Sequence, residues 1–172
     1  ARKDFPANDA KEAIEYFRKN AGKLNFASHG KGSTSHIRME LLLAKIGVKM
    51  NHIPYKGGAP ALQDLSGGQV DVLVDSPVSS MPLIRAGRIK PLAAMGRDRY
   101  ADLPNVMTLG EAGASAGDFV TFQGIIAPRG TPQAAVTAFS EAVRTALTNP
   151  ELREALSSRG LRPAFQGPAE FR

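Results

Sequence analysis

The segment VDVLVD, Val70 to Asp75, constrains the fold of this chain more than any other stretch. It is nearly continuous in valine and leucine, the composition of a strand covered on both faces, and that points to a parallel sheet with helices on either side. The text around it agrees. NDAKEAIEYFRKNAGK opens with Asp9 as an N-cap and Glu12 three residues later, sets Ala13, Ile14 and Phe17 on one face, and stops at Gly22. LNFAS then reads as a short strand, Ser35 to Ile46 as an amphipathic helix closed by Gly47, VKMNHIPY as a second strand, and APALQDLS as a short helix ended by Gly67 and Gly68. After VDVLVD come MPLIRAG, a further short helix, and IKPLAAMG, a fourth strand with Pro91 at its start or on an edge. Strands and helices alternating over Ala10 to Gly96 predict an α/β unit with a mostly parallel sheet.

Beyond Gly96 the composition changes. Arg97 to Gly117 reads as loop and connector with a short turn at TLGEAG, and FVTFQGIIAP as an extended return. Thr131 and Pro132 start a long helix carrying Val136, Phe139, Val143 and Leu147 in register. Asn149 and Pro150 start another that Gly160 ends, LRPAF is the last strand-like piece, and QGPAEFR looks like the first turn of a helix.

Several classes of chemistry are excluded by what the chain does not contain. There is no cysteine, hence no disulfide, no thiolate metal site and no cysteine nucleophile. No apolar run approaches the roughly 20 residues of a membrane span, and ARKDFPANDAKEAIEYF lacks the apolar core of a signal peptide. The net charge of +6 raises nucleic acid as a partner, but the basic residues are scattered, aromatics are only 6%, and no zinc or RNA-binding signature occurs. No nucleic-acid partner is therefore expected. The same mild excess raises the local concentration of small anions. His29, His36 and His52 show no HxxxH or HxH spacing, so no metal is expected, nor any cofactor.

In an open parallel sheet, ligands bind outside the carboxyl ends of the strands. Three such ends are candidates: Ser28 to His36, Tyr55 to Ala59, and Asp75 to Ser80. In the first, Gly30 and Gly32 let backbone amides approach a ligand, while Ser33, Thr34 and Ser35 add hydroxyls beside the positive end of the next helix. An anion suits that arrangement; the plainer reading is a tight turn with Ser33 or Ser35 capping the helix. GKGSTS has Ser35 where a dinucleotide loop needs its last glycine and no acidic residue about 20 positions on, and neither a phosphate-binding GxxxxGK[ST] nor a nucleophile-elbow GxSxG is present. Lys56, ahead of Gly57, either complements an anion or is an ordinary exposed lysine. Asp75 either accepts hydrogen bonds from a ligand at the sheet's rim or caps the following helix.

The blocks NFASHGKGSTSHIRMELL, IPYKGGAPALQDLSGGQVDVLVDSPVSSMPLIRAGRIKPLAAMG, LPNVMTLGEAG, FQGIIAPRGTP and LTNPELREALSSRG, in this order from Phe5 to the end, resemble the tripartite tricarboxylate transporter receptors, or Bug family. The resemblance implies an extracytoplasmic solute-binding protein of the type 2 periplasmic-binding fold, two α/β lobes around a cleft, with no catalysis. It implies a periplasmic location and a small carboxylate ligand passed to the membrane permease of a tripartite transporter or to a sensor kinase. The ligand would be held by Ser28, His29, Gly30, Gly32, Ser33, Thr34, Ser35 and His36, with Tyr55, Lys56, Gly57 and Asp75 lining the same cleft. This chain departs from the pattern at Ser76, where asparagine is usual, and at Lys31, where a neutral residue is common. A complete receptor of this family carries about 100 to 130 further residues before the equivalent of Phe5, including a PGG loop.

The expected organisation is thus a connector over residues 1–9, a ligand-binding lobe over 10–118, and a return strand with C-terminal helices of an incomplete second lobe over 119–172. The apolar stripes of those helices would lie uncovered, which predicts a dimer or a domain-swapped oligomer. Two rival readings are a cytoplasmic effector-binding or sensor module of the same fold, and a hydrolase using Ser35.

Overall fold

The computed structural model describes residues 1–115, 124–158, 161 and 163–171. The chain divides into two compact units, Ala1–Thr121 and Phe122–Arg172.

In the first unit three strands, β1 (Asn25–Ser28), β2 (Asn51–Pro54) and β3 (Val72–Leu73), form a parallel sheet in the order β2-β1-β3. The register pairs Phe26 with His52 and with Val72, and Ser28 with Pro54. Four helices accompany them: α1 (Ala10–Lys19), α2 (Thr34–Ile46), α3 (Gly58–Ser66) and α4 (Pro77–Arg85). Successive residues of a strand point to opposite faces. Fully buried Phe26 accordingly joins a core with Ile14 and Phe17 of α1 and Met39 and Leu43 of α2, while Ala27 joins Leu62 and Leu65 of α3 and Ile89. Both faces are covered, as the composition of VDVLVD required, and burying a side chain such as Phe26 is worth about 1.5–3 kcal/mol.

Local chemistry sets the helix ends. Asp9 caps α1 by accepting from the Glu12 amide at 2.9 Å. Glu12 reaches back to the amide of Asn8, one residue short of a closed capping box. Gly47 ends α2 at φ 71°, a left-handed turn that costs glycine nothing.

Several expectations are corrected. The third strand is only Val72–Leu73, with Val70 and Val72 buried but Leu73 and Val74 half-buried, because it pairs with β1 alone. IKPLAAMG forms no strand: Ile89 and Ala94 make isolated bridges, to Arg2 and Thr108, and Pro91 between them has no N–H to donate. Helix α4 begins at Pro77, ahead of MPLIRAG, since Ser76 caps the Val78 amide and Pro77 suits a first turn. Residues 1–9 are packed into the first unit rather than connecting to it. Phe5 and Ala7 are buried, Phe5 meets the Tyr16 ring edge-on at 5.1 Å, and Arg2 pairs with Asp71 at 3.0 Å. The connector after Gly96 is pinned by Arg99, whose guanidinium, with the Thr108 amide, pulls the Glu111 carboxyl down to about 2.

In the second unit, Pro132 precedes α5 (Gln133–Ala146), and Asn149 caps α6 (Pro150–Ser157) through the Leu152 amide. Neither helix contains a buried residue, and Ile126 and Phe139 are 89% and 54% exposed. Gly167 to Phe171 form a turn. The boundary expected at 118 and 119, the Phe119–Gln123 part of the return segment, Gly160 and Arg162 fall outside the described residues.

Candidate functional site

The parallel sheet brings its three carboxyl ends to one rim. Beyond Ser28 and Pro54 the ladder continues, the Tyr55 amide donating to the Ser28 carbonyl at 3.0 Å and the Gly57 amide to the His29 carbonyl at 3.2 Å. The first two loops therefore run side by side. Gly30, at φ 133°, lies so close to this neighbour that an added Cβ would meet the Tyr55 carbonyl at 3.4 Å. Gly58 stands against the His29 ring, where a Cβ would be 3.4 Å from Nε2.

The loop from Ser28 to Ser35 is held from within. The Ser28 hydroxyl is fully buried, accepts from the Gly30 amide at 3.2 Å, donates toward the Gly30 carbonyl at 3.1 Å, and lies 2.6 Å from His52 Nε2. Ser35 Oγ, also buried, accepts from the His29 amide at 2.9 Å and pairs with Ser33 Oγ at 3.0 Å. Ser33 caps α2, and the amides of Gly32 and Ser33 donate to His36 Nδ1 and the Gly30 carbonyl.

This alters the inventory of donors. The amides of Gly30 and Gly32, singled out as ligand donors, are already occupied inside the loop. Those of Thr34 and Ser35, in the first turn of α2, have no hydrogen-bond partner among the described residues. No acidic residue stands in that turn, so the positive end of the helix is uncompensated. Lys31 and Lys56 are exposed and have no ion-pair partner among the described residues. Thr34 is exposed, and Ser33 is half-buried beside it.

Tyr55 and His36 stand in the site as supports. The Tyr55 hydroxyl is spent on Asp64 of α3 at 2.7 Å, and burial together with that carboxylate pushes its pKa up to about 12. His36 turns Nδ1 to the Gly32 amide and Nε2 toward Glu40, 3.7 Å away.

Asp75, its side chain 5% exposed, accepts through Oδ2 from the hydroxyls of Ser79 and Ser80 at 2.7 and 2.6 Å. It thus ties down the first turn of α4, while the backbone cap is Ser76. Its other oxygen faces His29 Nε2 at 3.0 Å, off the hydrogen-bond axis, and neither atom has a hydrogen-bond partner. Asp75 also borders a mostly apolar cavity of about 160 Å³ lined by Phe17, Met39, Val72, Ile84 and Leu92. An anion would lose its hydration there without recompense, so the helix start, not the cavity, is the candidate anion site.

One participant, His52, was not among the expected site residues, whereas Gly58 and Ser80 fall within the candidate segments Tyr55 to Ala59 and Asp75 to Ser80. His52 sits opposite Phe26 in the register, a placement that the spelling NHIP alone does not disclose. Among the described residues no group of three or more His, Asp or Glu could hold a metal ion, and no helix is long and apolar enough to cross a membrane.

Comparison with known proteins places this geometry. Residues 1–169 match the tripartite tricarboxylate transporter family receptor. A relative from Pseudomonas sp. strain P51, the UPF0065 protein of the tcbD–tcbE intergenic region, is 37% identical over 166 residues, 96% of this chain and 49% of the relative. The chain spans about half the length of the curated relatives it matches at full coverage. Among solved structures, R. palustris Rpa4515 with adipate superposes with a TM-score of 0.93 at 32% identity, over 99% of this chain and 57% of that one. MatC (Rpa3494) from Rhodopseudomonas palustris with bound malate gives 0.86 at 36% identity, over 95% and 56%. The α/β fold is that of periplasmic binding proteins. With that match running nearly end to end, the chain belongs to the tripartite tricarboxylate transporter receptor family, a family of solute-binding receptors and not an enzyme class.

Proposed function

We propose that this chain is the ligand-contacting part of a periplasmic receptor, and that it binds a small carboxylate at the start of α2 for delivery to the permease of a tripartite transporter or to a sensor. The observation that carries the reading is the pair of unpartnered amides, Thr34 and Ser35, set among the hydroxyls of Ser33, Thr34 and Ser35 at an uncompensated helix N-terminus. Lys31 and Lys56 supply cationic surroundings, and proteins of similar fold are described with adipate and with malate.

Hydrogen bonds to a charged group contribute about 1.5–3 kcal/mol each, so two amides alone give about 3–6 kcal/mol, a dissociation constant near the millimolar range. Calorimetric titration of mono-, di- and tricarboxylates into the 172-residue chain, and into the longest natural translation product that contains it, is expected to find such a ligand. Absence of binding by every carboxylate in both proteins would refute the proposal.

The exposed apolar side chains of the second unit, Ile125, Ile126 and Phe139 among them, favour self-association of the isolated chain. Light scattering at micromolar concentration is expected to give a mass above 18.3 kDa, and a monomer would contradict this.

A further inference from the structure

Behind the candidate loop two imidazoles are stacked. The rings of His36 and His52 lie 3.9 Å apart at 14°, and His52 stacks on Phe26 at 4.8 Å and 17°. Each ring holds one end of the loop: His52 Nε2 meets the Ser28 hydroxyl at 2.6 Å, and His36 Nδ1 accepts the Gly32 N–H at 3.1 Å. Resting on the carboxylate-binding reading above, we infer that His36 and His52 are positioning residues that keep the loop in its binding shape only as an uncharged pair, so that acidification weakens carboxylate binding.

The chemistry runs as a chain of constraints. Nδ1 of His36 accepts from Gly32, so a neutral His36 carries its proton on Nε2. Protonation puts a second hydrogen on Nδ1, facing the Gly32 N–H, and that contact turns from hydrogen bond to repulsion. A second charge on His52 would then lie across a 3.9 Å stack. Lys31 from the loop opposes protonation of His52 and Glu40 from α2 favours it, while Phe26 and Ser28 of β1 contact its ring. Burial, then the neighbouring His36, holds His52 below its usual 6.5. For a histidine lowered by folding, stability is full above pH 6.5 and is lost as the pH falls from there through the lowered value. An imidazolium also attracts an anion, an opposing effect. His36, however, is compensated by Glu40 and directs its nitrogens at the loop's back and at that carboxylate, so loss of the Gly32 bond prevails.

Two variants separate positioning from charge. Asparagine carries an acceptor close to where Nδ1 stands and does not titrate; phenylalanine keeps the stack and has no acceptor. In NMR hydrogen exchange on the chain, Gly32 protection is expected to fall together with His36 protonation in the parent, to persist without a pH step in His36→Asn, and to be lost at every pH in His36→Phe. Titrated with malate and with adipate, the parent's affinity is expected to drop about tenfold more than that of His36→Asn between pH 7.5 and 5.5, the ligand's own protonation being common to both. Gly32 protection that survives in His36→Phe, or a parent affinity that holds or rises on acidification relative to His36→Asn, would overturn the inference. If Gly32 and His36 titrate together but neither acid binds, the positioning role stands and the carboxylate reading fails.

Discussion

Replacing Ser28 with alanine is expected to cost about 2–4 kcal/mol of folding stability and to weaken carboxylate binding more than tenfold. The site is fully buried, so no water restores what the hydroxyl supplied. Removing it strands the Gly30 N–H and leaves His52 Nε2 without its partner, and each orphaned polar group costs about 1–3 kcal/mol. Only a small cavity is added, because one oxygen is lost. Binding suffers because the same hydroxyl holds the first bend of the loop, whose far end carries the Thr34 and Ser35 amides. Threonine is a poorer probe, since an extra methyl in a filled site brings overpacking of its own. Urea unfolding at pH 7 measures the first effect and calorimetry the second. A stability change below about 0.5 kcal/mol, the range of unremarkable surface substitutions, would show that the Ser28 contacts do not hold the loop.

The parts legible in the sequence are those set by local rules. The Asp9 cap, the stop at Gly47 and the stripe Ala13, Ile14, Phe17 depend on neighbours a few residues away, and all three stand as read. The parallel sheet was legible because strand-like and helix-like segments alternate from Ala10 to Gly96, with VDVLVD mostly valine and leucine at its centre. What local rules do not contain is pairing. IKPLAAMG has the composition of a strand, yet strand formation requires a partner in register, and it finds only single bridges at Ile89 and Ala94. The candidate site divides in the same way. Glycines, hydroxyls and a following helix made Ser28 to Ser35 a candidate anion loop from spelling alone, beside the plainer reading of a tight turn with a capped helix. Which donors are free is a three-dimensional question, because Gly30 and Gly32 spend their amides on Ser28 and His36. The role of His52 beside Ser28 is hidden for the same reason, since it depends on the pairing of β2 with β1.

Asp75→Asn is expected to change which carboxylates are preferred, not merely how tightly they bind. In the parent, Oδ2 is occupied by Ser79 and Ser80, while buried Oδ1 has no hydrogen bond and faces His29 Nε2 at 3.0 Å. A ligand hydroxyl or ammonium group that displaces the His29 ring can donate to that oxygen, a charge-assisted bond of about 1.5–3 kcal/mol. One with only carboxylates brings no donor and meets like charge. Malate carries a hydroxyl and adipate does not. Asparagine keeps an acceptor for the two serines and removes the charge, so malate affinity is expected to fall about tenfold and adipate affinity to rise about threefold. The ratio of the two constants then moves roughly 30-fold, while unfolding of the chain shifts little. Equal losses for both acids would assign Asp75 to holding Ser79 and Ser80 at the start of α4 and nothing more. A swing of the expected sign would place Oδ1 in contact with the ligand, and would make the Asp75 end of the sheet's rim, not the loop of amides that every carboxylate shares, the part that chooses among them.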